Sequence, residues 1–211
     1  MTTHQKGPPK LIHLCHHDLP AGYAGGDVAA IDTETMGLVT RRDRLCLVQI
    51  RFENSDTYLI KRNPDSPPAP HLKKVLADPK VTKLFHFARF DLAALYHAFG
   101  VMAAPVYCTK VASKLVRTYT DRHGLKELCR ELLGRDLSKT EQTSDWGKDT
   151  LTEAQKTYAA QDVLYLHDLK RTLDKLLIRE KRDSLAQKCF DFLPARVMMD
   201  LLGWDESILQ H

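Results

Sequence analysis

Segments with strand character fill the first half of this chain, and beyond Thr109 the pattern turns helical. "LIHLC", "DVAAIDTE", "RLCLVQIRF", "DTYLIK" and "VTKLFHF" read as strands, and "PVYCT" as a shorter one. "HLKKVLAD" and "ARFDLAALYHAFG" interrupt them with helical spacing, the second closed by Gly100. The Pro-rich "RNPDSPPAPH" is a loop. "KVASKLVRTY" and "GLKELCRELLG" are amphipathic, and Gly134 fits a helix stop. "TEAQKTYAAQDVLYLHDLKRTLDKLLIREKR" has one long helical pattern, with a capping box led by Thr150 or Thr152. The last helical segment, "SLAQKCFDFLPARVMMDLLGW", is expected to bend or break near Pro194. Strands with interspersed helices, then helices alone, predict an α/β sheet covered by helices.

The 211 residues allow one domain with appendages, and a hydrophobic share of 43% excludes wholesale disorder. A net charge of +4 with 27 acidic residues argues against a simple polycationic binder. The five cysteines form no C-x-x-C pair, and their odd number argues against a closed disulfide framework. Reduced thiols in a cytoplasmic protein are the expectation. No signal peptide or bilayer-length apolar run is present, so no membrane partner is expected. "MTTHQKGPPK" (1–10) reads as a loose tail.

Three pairs or single acids carry the chemistry. In "AAIDTETMGL", Asp32 and Glu34 end an apolar strand, and residues two apart on a strand share a face. Thr33 then faces the opposite way, towards packing. In "FHFARFDLAALYHAFG", Asp91 opens an otherwise apolar helix whose Phe90, Leu92, Leu95 and Phe99 form a core-facing stripe. In "TYAAQDVLYLHDL", Tyr158 and Asp162 are four apart and lie on one helix face. Each feature alone has an ordinary explanation: a solvated strand end, an acid at a helix start, an aromatic core residue beside a surface acid. "HLCHH", with His13, His16 and His17, has no second cluster of matching metal-ligand spacing and reads as structural or solvated.

In combination, a strand D-x-E, a helix-start F-D and a helical Y-x-x-x-D resemble the tyrosine-type DEDD 3′–5′ exonuclease superfamily, in its ribonuclease D-like branch. "GLKELCRELLG" and "LSKTEQTSDW" resemble that family's helical middle, and the likeness runs from about Leu11 to Leu177. The resemblance is to the short, catalytic-domain-only form, without HRDC domains. Phe87 stands where many relatives carry Asn.

The resemblance implies a ribonuclease H-like mixed sheet flanked by helices with a helical C-terminal part. The expected organisation is a tail over 1–10, a 3′–5′ exonuclease domain over 11–180, and an extension over 181–211 that packs on the domain. The implied catalytic set is Asp32, Glu34, Asp91, Tyr158 and Asp162, with the four acids as ligands of two divalent cations, Mg²⁺ or Mn²⁺. Elementary electrostatics agrees, because each pair of carboxylates ~4 Å apart repels by ~4 kcal/mol at an effective dielectric near 20. Such a cluster takes up protons or binds cations, and an all-oxygen donor set suits Mg²⁺ or Mn²⁺ rather than zinc. Met36 and Leu38 are implied to pack on the terminal base, with the backbone near Met36 meeting the 3′-hydroxyl; the alternative is a turn with Leu38 in the core. His86 is a further substrate-binding candidate or a core histidine.

Two basic stretches are candidate tracks for phosphates: Arg41, Arg42 and Arg44, and Lys110, Lys114, Arg117, Arg122 and Lys126 with His123. Trp146 reads as a core anchor. The expected activity is metal-dependent 3′–5′ exonucleolysis of RNA 3′ ends, with single-stranded DNA as the near alternative. A non-catalytic nucleic-acid-binding module and a small-molecule phosphodiesterase are the readings from other classes. The C-terminal apolar segment leaves a monomer or a homodimer open.

Overall fold

A computed structural model of the chain describes residues 11–138, 140–141 and 143–210. The expected tail over 1–10 lies outside them. The strands are β1 (Ile12–His16), β2 (Val28–Thr35), β3 (Leu45–Phe52), β4 (Thr57–Lys61), β5 (Thr82–Phe85) and β6 (Val106–Cys108). They form one sheet in the order β1-β4-β3-β2-β5-β6. β2, β3 and β4 are joined antiparallel, whereas β1 joins β4, β5 joins β2 and β6 joins β5 in parallel. This mixed sheet with flanking helices is the ribonuclease H-like α/β architecture expected from the sequence.

The helices are α1 (Pro70–Ala77), α2 (Ala88–Phe99), α3 (Thr109–Val116), α4 (Leu125–Leu133), α5 (Glu153–Leu164), α6 (Leu166–Arg179) and α7 (Asp183–Leu202), with a 3₁₀ turn over Glu206–Leu209. β3 is buried along its whole length, because it sits inside the sheet. α5 crosses β1, β2, β3 and β4. Ala159 and Ala160 let it lie close, and they pack with Leu47, Leu59 and Trp146. A larger core gathers Ile31, Val48, Ile50 and Ile60 with Leu92 and Leu95 of α2, Leu169 and Leu173 of α6 and Phe190 of α7.

One helical expectation is corrected, and of the bend or break expected near Pro194 the break is not found. The long pattern beyond Thr152 is two helices, because Tyr165 adopts φ −107° and ψ 2° and both ends α5 and starts α6. The break turns the chain after Asp162 has been presented on α5. α7, by contrast, runs unbroken through Pro194. The proline removes one backbone hydrogen bond, but Phe190 and Val197 are buried on either side of it, and α7 packs against α2, α3, α6 and β6. That burial holds the helix together. Thr152, rather than Thr150, caps α5: Gln155 N–H donates to the Thr152 hydroxyl at 3.1 Å, and Thr152 N–H donates to Gln155 Oε1 at 2.9 Å. Gly100 and Gly134 close α2 and α4 with φ of +66° and +63°, where a side chain would be strained. All five cysteines are unpaired. Among the described residues, no helix is long and apolar enough to cross a membrane.

Candidate active site

The site lies at the end of β2. In the β2–β3 register Asp32 stands opposite Gln49 and Glu34 opposite Leu47, and Leu47 packs under α5. Alternation therefore turns both carboxylates towards α5, and a register shift between Glu34 and Thr35 ends the regular pairing there. One helical turn separates Tyr158 from Asp162 on α5, so both reach the same space. Carboxylate oxygens of Asp32, Glu34 and Asp162 all lie within 4.8 Å of one another. Three acids from two elements thus present an all-oxygen donor set that fits a hard divalent cation.

Asp91 joins them from the first turn of α2. It is 5% exposed and stands behind the cleft wall rather than on it. The Thr33 hydroxyl donates to Asp91 Oδ1 at 2.6 Å. The strand alternation predicts Thr33 to face the opposite way, towards packing, and it is buried. Its side chain does point away from Asp32 along the strand, and that is the side from which α2 delivers Asp91. The tight three-carboxylate group does not include Asp91, but among the carboxylates its charge acts most strongly on Asp32.

The electrostatics are those of crowded, buried acids. Burial first, and then the charges of Asp91, Asp162 and Glu34, hold Asp32 well above the usual carboxylate range. Burial, Asp162 and Asp91 push Glu34 up to about 9. Burial lifts Asp162 to about 7 against the opposing pull of the Tyr158 phenol. It lifts Asp91 to about 7 against the Thr33 hydrogen bond. Burial and the three neighbouring acids raise Tyr158 above its ordinary value, so its phenol keeps its proton at neutral pH.

A cleft of about 730 Å³ opens over these groups, and Asp32, Glu34, Tyr158, Asp162, Met36, Leu38 and His86 are among the residues that line it. Met36 is 52% and Leu38 85% exposed, so the alternative of Leu38 in the core is overturned. His86 is set just after β5 and contacts the Thr109 hydroxyl through Nδ1 at 2.9 Å. Phe90 was expected on the core stripe of α2, but it lines the cleft, whereas Leu92, Leu95 and Phe99 are buried. Trp146 is buried and also forms part of the cleft wall.

Much of the expected phosphate track serves the fold instead. Arg117 is buried and donates to Ser113, to the Arg122 carbonyl and to Glu131. Arg44 donates to the carbonyls of Arg62 and Gly147. Arg42 pairs with Asp43, and His123 is buried against Ser113. Lys126 alone of both stretches lines the cleft, with Gly124, Leu125 and Glu127 at the start of α4 and with Ser138, Thr143 and Ser144. Sequence reading missed these small and hydroxyl residues, since nothing in their spacing marks them.

Comparison with known proteins gives one family. A family model described as 3′–5′ exonuclease matches residues 16–178. A ribonuclease D of Gluconacetobacter diazotrophicus is 37% identical over 153 residues, which are 72% of this chain and 38% of that protein. The chain thus spans well under half the length of that relative. Brucella melitensis NrnC bound to pGG superposes with a TM-score of 0.90 at 52% identity, covering 94% of this chain and 97% of that one. NrnC from the same organism with bound Mg²⁺ superposes with a TM-score of 0.88 at 52% identity, covering 93% and 96%.

Proposed function

The chain belongs to the 3′–5′ exonuclease family, and from that membership we propose that it is a metal-dependent 3′–5′ exoribonuclease that removes nucleotides from RNA 3′ ends. The observation that carries the proposal is the convergence of Asp32, Glu34 and Asp162 within 4.8 Å in the wall of an open cleft. A cluster of acids this crowded is ionised at neutral pH only with cations in it. The Mg²⁺-bound relative supports that class of ion, and the pGG-bound relative supports a short strand as ligand.

In this reading Asp32, Glu34 and Asp162 hold two divalent cations, Mg²⁺ or Mn²⁺, with Asp91 completing the set from behind. Bound there, such a pair neutralises the acids and stabilises charge on the attacking and leaving oxygens of an in-line phosphodiester displacement. The chain's own groups do the rest. Tyr158, protonated at neutral pH, is a poor base; its hydroxyl orients the attacking water by a hydrogen bond. Thr33 fixes Asp91, and through it the field at Asp32. Met36 and Leu38 pack against the terminal base, and Lys126 meets the strand's phosphates further along the cleft. The catalytic domain spans 11–180, and the 181–211 extension braces it through α7. The five unpaired cysteines support a cytoplasmic protein, acting as a monomer or a homodimer.

A non-catalytic binding module is the weaker reading, since it has no use for four acids that repel one another. Digestion of 5′-labelled RNA and DNA oligomers with Mg²⁺, Mn²⁺ or a chelator tests the proposal. A descending ladder on RNA that chelator abolishes is the expected result. Binding without shortening, or internal cuts, would refute it.

A further inference from the structure

His86 sits in the cleft with one ring nitrogen already committed. Its Nδ1 is 2.9 Å from Thr109 Oγ1, and that hydroxyl lies 3.2 Å from the Phe85 carbonyl oxygen. A hydroxyl has one hydrogen, and a carbonyl can only accept. With the Thr109 hydrogen donated to Phe85, the hydroxyl oxygen must accept from His86 Nδ1–H. The chain from Nδ1–H through the hydroxyl to the carbonyl then uses both donors. Burial and the Lys110 charge push His86 down to about 3, so the ring is neutral and carries a single N–H. That N–H is at Nδ1, and Nε2 is therefore a lone pair.

Among the described residues, no protein group bonds Nε2. The surroundings limit what it can take. With cations bound, the carboxylates of Asp32 and Glu34 in the same cleft are ionised, and phosphate oxygens are also acceptors, so neither can satisfy a second acceptor. The exposed apolar side chains of Met36 and Leu38 fit a base, and the acids, with their cations, fit a phosphate. Between base and phosphate lies the sugar, whose hydroxyls are the O–H donors of a nucleotide.

We propose that His86 is a specificity-determining residue whose Nε2 accepts a hydrogen bond from a hydroxyl of the 3′-terminal sugar, with Thr109 as the positioning residue that fixes the tautomer. This rests on the exonuclease reading above. The chemistry is that of a sugar hydroxyl, 2′ or 3′. If the donor is the 2′-hydroxyl, His86 is what separates RNA from DNA in this cleft; if it is the 3′-hydroxyl, His86 recognises the strand end.

The test compares oligomers ending in ribose, 2′-deoxyribose or 3′-deoxyribose, in wild type and in His86→Asn. Asparagine keeps a donor for Thr109 Oγ1 and has no atom where Nε2 stood. Removing the hydroxyl that His86 reads should lower wild-type kcat/KM roughly 3- to 10-fold and leave His86→Asn unaffected, as expected for one neutral hydrogen bond. Equal penalties in both proteins for both hydroxyls would overturn the proposal. Thr109→Val, which keeps the ring but removes its acceptor, should reduce the same discrimination. Nitrogen NMR of His86 in wild type, which needs no turnover, should find Nε2 unprotonated at neutral pH; a protonated Nε2 overturns the assignment. Absence of shortening on every oligomer in wild type would instead strike the exonuclease reading, leaving the NMR result to stand on its own.

Discussion

Thr33 and Asp91 are 58 residues apart in sequence and joined by a 2.6 Å hydrogen bond from the hydroxyl to Oδ1. The bond ties the end of β2 to the first turn of α2, and so fixes the acid that α2 brings towards Asp32. Thr33→Val keeps shape and removes the donor. Because hydrogen bonds to charged groups contribute about 1.5–3 kcal/mol, the expected result is a roughly tenfold loss of turnover and a higher Mn²⁺ requirement, with Thr33→Ser restoring both. Metal titration of the rate checks it; unchanged metal dependence in Thr33→Val means Asp91 needs no anchor.

Stability of the metal-free protein should fall as pH rises. Glu34 is raised to about 9 and Asp91 and Asp162 to about 7, against about 4 for unfolded carboxyls. Between those limits the folded chain holds protons that the unfolded chain has released, so folding stability is greatest below about pH 4 as far as these groups are concerned and is lost up to about pH 9. Melting in chelator at pH 5, 7 and 9 should give a descending series. Mg²⁺ should raise the melting temperature most at the alkaline end, and Asp32→Asn should flatten the series. A melting temperature in chelator that climbs from pH 5 to 9 contradicts the crowding.

Tyr158 is held protonated by burial and by Asp162, Glu34 and Asp32. Tyr158→Phe should therefore slow cleavage by about 100-fold, the scale of losing one well-placed donor, while metal affinity stays within about twofold. Single-turnover rates and calorimetric metal titration separate the two. A large loss of metal affinity would make Tyr158 a ligand-organising residue instead.

Leu38 is 85% exposed and touches little of the fold. Leu38→Ala should leave thermal stability unchanged and raise KM several-fold, since the packing lost is against the substrate base. An unaltered KM removes Leu38 from base recognition.

The parts of the site legible in the sequence were those written in local periodicity. The two-residue spacing of Asp32 and Glu34 on an apolar run and the four-residue spacing of Tyr158 and Asp162 each fix a shared face before any tertiary contact forms. The box at Thr152 and Gln155 and the stops at Gly100 and Gly134 are likewise local. What the sequence could not disclose depends on distant partners. Thr33 looks like a packing residue until α2 brings Asp91 to it. Arg117 looks like a phosphate ligand until Ser113 and Glu131 take up its donors. The turn at Tyr165 and the continuity of α7 through Pro194 are decided by what each helix packs against, which outweighs local propensity. The hydroxyl-rich wall of Ser138, Thr143 and Ser144 comes from a segment with no periodicity.

The central claim is that Asp32, Glu34 and Asp162 form a divalent-cation site. Its most direct test is anomalous scattering from crystals of the protein soaked in Mn²⁺. The account predicts a strong peak bonded to carboxylate oxygens of all three residues, and its loss in Asp32→Asn. Manganese bound elsewhere, with none among these three, would contradict it.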